Sequence, residues 1–147
     1  MPPPADAAAA AAGGAPARPW GLLTYSTSNL GDDIQSLAAL RFLPGASVLL
    51  DRDTFAASDP PASAAVILNG WWLHRPRLLA RGACDLDPML VSIHIHPPAL
   101  PMLEDPRVRA FLLRHGPVGC RDLATLAALE RAGIPARFTG CLTLTLR

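Results

Sequence analysis

The sequence predicts an α/β fold, a mostly parallel sheet with helices on both faces, and three observations predict it. Short, continuous apolar runs recur along the chain, among them Val48–Leu50 and Ala64–Leu68. They have strand length and no polar alternation, as strands buried on both faces do. Segments with helical spacing or long connections lie between them, the pattern of parallel strands joined by crossovers. Polar residues then cluster just after the apolar runs. Asn29 and Asp32 follow the first, Arg52 the second, Asn69 and Trp71 the third, His96 ends the fourth and Arg121 follows the fifth. In a parallel sheet these positions share one edge, where ligands gather.

Residues Met1 to Pro19 are Pro, Ala and Gly with almost nothing to bury, so a disordered tail is expected there and a single domain over 20–147. Trp20 to Tyr25 supplies the first strand. Gly31 is expected to turn the chain, Asp32 and Asp33 to sit at the positive end of a helix dipole, and Ile34, Leu37 and Ala38 to form that helix's apolar face. Pro44-Gly45 stops this helix. Ser47 to Leu50 is the second strand, and Thr54 to Ser63 is a loop in which Pro60-Pro61 prevents a long helix. Ala64 to Leu68 is the third strand. After an Arg-rich connection, His74 to Asp87, Met89 to His96 forms the fourth, ended by Pro97-Pro98.

Asp105 to Arg114 is helical, with Pro106 suited to the first turn. Val118 to Cys120 is the fifth strand. Asp122 caps a helix from Leu123 to Ala132, which Gly133 stops. Ala136 to Thr139 is the sixth strand, and Cys141 to Leu146 alternates apolar residues with Thr.

Composition narrows the function. The 147 residues are 50% hydrophobic and 17% charged, enough apolar material for one core. A net charge of +1, with no basic run or aromatic-basic stripe, argues against nucleic acid. The 3 cysteines, Cys84, Cys120 and Cys141, form no C-x-x-C and point to free thiols in a reducing, cytoplasmic setting, with organelle targeting by the tail as the alternative. No apolar run is long enough to span a membrane. The loop after the first strand lacks both common phosphate-loop patterns, and its two carboxylates would repel an anion. Ser26, Ser28, Asn29, Asp32 and Asp33 suit hydroxyl groups, as on a sugar; a capped helix start with no ligand is the plain alternative.

Five segments in sequence carry a resemblance: Ser28-Asn29-Leu30-Gly31-Asp32-Asp33-Ile34-Gln35, Leu68-Asn69-Gly70-Trp71-Trp72, Ser92-Ile93-His94-Ile95, Gly119-Cys120-Arg121-Asp122 and the Thr-rich run from Thr139 to Leu146. Together they resemble the polysaccharide pyruvyl transferase family over Leu22 to Leu146. The resemblance implies a Rossmann-like domain, one half of a two-domain fold like that of GT-B glycosyltransferases. It also implies transfer of a pyruvyl group from phosphoenolpyruvate, as donor substrate and with no cofactor, to two hydroxyls of a saccharide acceptor. In the family the arginines and histidines that grip the donor lie largely in the second half. Residues 22–146 match the first, so a completing C-terminal domain or a homo-oligomer is the expected partner. A non-catalytic sugar- or nucleotide-binding module and a glycosyltransferase half are the alternatives.

Ketal formation needs cations for the donor, an acid for its methylene carbon and a base for the attacking hydroxyl. Arg121 is the first cation candidate, against a salt bridge to Asp122 or another loop carboxylate. Arg52 faces the same choice with Asp51 and Asp53. Asp32 is a candidate base or hydroxyl ligand. Asn29, Asp33, Asn69, Trp71 and His96 are candidate acceptor contacts; either Trp71 or Trp72 stacks on a sugar ring while the other packs inward, or both pack in the core. His94 and His96 share a strand face and could bind a metal. With no third ligand spaced nearby, hydrogen-bonded histidines and no metal site are favoured. Cys120 and Cys141 read as small buried residues.

Overall fold

The computed structural model describes residues 18–46, 48–53, 64–71 and 86–147. The expected tail, the loop at Thr54 to Ser63, most of the connection from His74, and both Trp72 and Cys84 lie outside them. Six strands form one sheet: β1 (Trp20–Thr24), β2 (Val48–Asp51), β3 (Ala65–Gly70), β4 (Asp87–Ile93), β5 (Val118–Cys120) and β6 (Ala136–Phe138). All neighbours pair in parallel, in the order β2-β1-β3-β4-β5-β6. Among the described residues the α-helices are α1 (Leu30–Leu40), α2 (Pro106–His115) and α3 (Leu123–Arg131). The fold is thus the expected Rossmann-like α/β sheet.

The order places β1 between β2 and β3. The chain steps to one side for β2 and returns across β1 for β3, so a crevice opens between the loops after β1 and β3 at the C-terminal edge. The register holds these loop starts level: Thr24 pairs with Asp51, and the Arg52 amide donates to the Thr24 carbonyl at 2.9 Å.

Strands β3, β4 and β5 and the helices α2 and α3 form the core. Val66, Ile93, Val108, Leu112, Val118 and Leu129 are all nearly inaccessible. Each such side chain contributes about 1.5–3 kcal/mol by leaving water. Caps lock the helices in place. Asp105 accepts from the Arg107 amide, with Pro106 at the first turn of α2, and Asp122 accepts from the Thr125 amide to start α3. Gly133 ends α3 with φ +69, in the left-handed region that favours glycine.

Three expectations need correction. Gly31 does not make the turn. It lies inside the first turn of α1, and Asn29 is the cap, its Oδ1 accepting the Gly31 amide at 3.0 Å. The expected apolar face of α1 is displaced, since Leu37 is 57% exposed while Asp32, Gln35, Ala38 and Ala39 are buried. Polar partners from β3 and the β2 loop draw that side of the helix inward. Strand β4 stops at Ile93, so His94 and His96 lie beyond it, and a 3-10 helix over Pro97–Glu104 follows directly. The Thr-rich run from Cys141 is a 3-10 turn, Leu142–Thr145, which packs against α1.

Candidate functional site

The crevice at the switch point is a pocket of about 450 Å³. One wall is the loop after β1 with the start of α1, which contribute Thr27, Asn29 and Asp32. The floor is Arg52 and Asp53 from the end of β2. The far wall is Trp71 after β3, with His96 and the start of the 3-10 helix, Pro98 and Ala99. Every wall lies just beyond the end of a strand, which is why residues as far apart in the chain as Thr27 and Ala99 meet here.

Arg52 organises the floor. Its side chain is 4% exposed and its Nη2 reaches Asp32 Oδ2 at 3.2 Å and Asp53 Oδ1 at 3.3 Å. The guanidinium lies 4.4 Å from the centre of the Tyr25 ring, a cation–π contact, and its Nη1 is buried with no hydrogen-bond partner. Burial pushes the Tyr25 hydroxyl well above its ordinary range, against the pull of the Arg52 charge, so it stays protonated. Thr27 donates to Asp32 Oδ2 at 2.8 Å. Both bonds to Asp32 fall on Oδ2, which leaves Oδ1 without a hydrogen bond from the described residues. The Ser26 amide donates to Asp53 and the Ser26 hydroxyl to Asp51, which ties the β1 loop to the β2 loop.

Trp71 meets two histidines. His96 stands edge-on to it with ring centres 5.2 Å apart, and His94 is tilted against it at 6.0 Å. His94 is fixed in turn by Asp122, Nδ1 to Oδ2 at 2.7 Å. Asp122 also accepts from Thr125. Burial acts to raise its carboxyl, but the bonds from His94 and Thr125 outweigh it and hold the group below the ordinary carboxylate range.

Of the expected site residues, the fold brings Asn29, Asp32, Trp71 and His96 together in the pocket. Asp33 is exposed in the first turn of α1, outside it. Asn69 is fully buried behind it, donating to the Gln35 carbonyl and side chain at 3.1 and 3.2 Å. Arg121 is half-buried and does not line the pocket. Its expected salt bridge to Asp122 is absent because Asp122 faces His94. The Arg121 charge acts instead on Cys141. There burial raises the thiol, and bonds to Thr143 and Gln35 together with Arg121 more than reverse it. Burial pushes the Cys120 thiol up to about 11.

Arg52 was legible as a strand-end cation, but its place on the pocket floor was not. Thr27 and Asp53 carried only the general signal of polar residues after a strand. Pro98 and Ala99 carried none, because nothing in the sequence marked the 3-10 helix that brings them to the wall.

A six-stranded parallel sheet with a polar, aromatic-walled pocket at its switch point defines a Rossmann-like α/β domain. Comparison with protein families is specific: the model described as "Polysaccharide pyruvyl transferase" matches residues 29–147, and the chain belongs to that family. No curated protein and no solved structure matches.

Proposed function

We propose that the switch-point pocket binds a saccharide and that the domain forms the acceptor side of a pyruvyl transferase cleft. The observation that carries this reading is Trp71, braced by two histidine rings, facing Asp32 and Asn29 across a pocket of sugar size. An aromatic face takes the apolar side of a pyranose, while carboxylate and amide groups take its hydroxyls. Asn29 Oδ1 is committed to the helix cap, so its amide NH2 is left to donate outward.

In the reaction proposed, a proton added to the methylene carbon of phosphoenolpyruvate makes the adjacent carbon electrophilic. One sugar hydroxyl adds there. Phosphate then leaves with its electron pair, and the second hydroxyl closes the ketal, each hydroxyl giving up its proton. Asp32 is the proposed base, through the open Oδ1. Phosphoenolpyruvate is a trianion near neutral pH and needs several uncommitted cations. Arg52, already shared by two carboxylates, does not supply them, so the donor is proposed to bind outside this pocket, with Arg121 as a candidate contact.

The test is phosphate release from phosphoenolpyruvate in the presence of a panel of saccharides. Release that depends on the saccharide, and is lost in Asp32→Asn, supports the reading. The commitment of Arg52 to two carboxylates also favours a second reading, a sugar-binding module without catalysis. Saccharide binding seen as a change in tryptophan fluorescence, with no phosphate release, would select it.

A further inference from the structure

We infer that Asn69 is a positioning residue for the switch-point pocket: through Gln35 it fixes the gap between the helix wall, Asn29 and Asp32, and the aromatic wall, Trp71. The inference rests on the saccharide reading above and concerns what holds that site to one width.

Asn69 stands at the end of β3, two positions before Trp71, and Gln35 lies one turn beyond Asp32 on α1. One side chain therefore joins the strand that presents one wall to the helix that presents the other. Asn69 is fully buried. Its Nδ2 forks onto the Gln35 carbonyl at 3.1 Å and the Gln35 Oε1 at 3.2 Å, so it grips the helix backbone as well as the side chain. Gln35 is held in turn by its Nε2, which donates to Cys141 Sγ at 3.3 Å. Gly70 then turns the chain toward Trp71 with φ +73, and a Cβ there would stand 3.7 Å from Gln35 Cγ.

The inner side of α1 carries Asp32, Gln35, Ala38 and Ala39, with no large apolar side chain to lock its rotation. Its other side-chain ties go elsewhere. Ser36 donates to the Leu23 carbonyl on β1, Arg41 to the Thr145 carbonyl, and Thr27 and Arg52 hold Asp32 Oδ2. Among the described residues, the Asn69 fork is thus the hydrogen-bonded link between α1 and β3. Stability alone does not call for it. Asn69 Oδ1 is buried with no hydrogen-bond partner, a cost that an apolar side chain of similar size avoids. A buried polar link kept at such a cost fixes geometry rather than adding strength. A pyranose stacked on Trp71 and bonded to Asp32 needs both walls in place at once.

The experiment uses the full chain with two variants. Asn69→Leu removes the fork and leaves Gln35 Oε1 unpaired. Asn69→Leu combined with Gln35→Met replaces both ends by apolar groups of similar size, so its unfolding midpoint in urea is expected to stay near wild type. Methyl glucopyranoside, galactopyranoside and mannopyranoside are titrated and followed by tryptophan fluorescence. Affinity is expected to fall about tenfold or more in the double variant, as misplaced binding groups require. The amide NMR resonances of Asn29 to Asp33 are expected to move with it, while those of β5, α2 and α3 hold. A role in stability alone does the reverse, with a lowered midpoint and the Asn29 to Asp33 resonances in place. Unmoved resonances or unchanged affinity in the folded double variant overturn the inference. So does a double variant that does not fold, because the link is then there for strength. If the wild-type chain binds none of the three sugars at millimolar concentration, the saccharide reading falls, and the resonances still decide whether Asn69 sets the helix wall.

Discussion

Arg52 and the two carboxylates around it form a buried charge cluster whose members depend on each other. Asp32 and Asp53 are both largely withdrawn from water. Removing the cation leaves two desolvated negative charges unpaired, which costs about 3–5 kcal/mol for a buried pair. Arg52→Met is therefore expected to lower unfolding free energy by that order in a urea titration. Adding Asp32→Asn to it is expected to restore part of the loss, since the orphaned charge goes with it. Additive losses from the two changes would show that the cluster is not coupled. Asp122 answers to pH. Its folded carboxyl lies below the unfolded value, so the stability it contributes is complete above the unfolded pKa and is lost as pH falls through the folded one. Asp105, held to about 2 by Arg107, behaves the same way. Stability is expected to fall between about pH 4 and pH 2 as these carboxyls take up protons. Asp122→Asn keeps a competent helix cap but gives up the charge facing His94, so it should flatten that decline. An unchanged acid profile in this variant would count against the pairing.

At the scale of elements, what could be read in advance depended on where each signal came from. Strands β3 and β5 and helices α2 and α3 were legible because their cues are local: an apolar run, an Asp cap, a Pro in the first turn, a Gly at the stop. Gly133 shows how complete such a cue can be. It has left-handed φ and nothing within 4 Å of where a Cβ would stand. Gly133→Ala should therefore cost only the backbone strain, about 1–2 kcal/mol, with no steric addition. A loss far above that in thermal or urea unfolding would mean a contact that the geometry does not contain. The buried side of α1 was not legible, because its cause is distant. Gln35 is drawn in by Asn69, 34 residues on, and by Cys141, 106 residues on. Asp32 is drawn in by Arg52, 20 residues on. Local periodicity reports apolar faces and cannot register a polar line that is buried by partners on other strands. The candidate site divides the same way. That it would lie at the ends of the strands followed from topology. Which strand-end residues face the pocket, as Trp71 does, and which turn inward, as Asn69 does, depended on side-chain partners that sequence spacing does not encode.

Over the whole molecule, the net charge of +1 conceals an uneven distribution, because the acidic pocket floor is balanced by arginines spread along the chain. Apolar surface is uneven as well. The register pairs Leu22 with Leu49 and Ile67 with Met89, and Leu49 and Met89 are 69% and 64% exposed. These residues belong to one alternating side of the sheet, and a groove of about 690 Å³ runs beside Trp20, Ile67, Met89 and Leu142. Contiguous apolar surface of this kind lowers its free energy by leaving water, and self-association is one direct way to do so. The chain is therefore expected to dimerise or form larger species at protein concentrations on the order of tens of micromolar, where exposed apolar surface begins to drive association. Replacing both Leu49 and Met89 with Lys should shift it toward the monomer in light scattering without lowering unfolding free energy by more than about 0.5 kcal/mol per site, as exposed positions allow. A wild-type chain that stays monomeric across that range would show that this side of the sheet does not drive association.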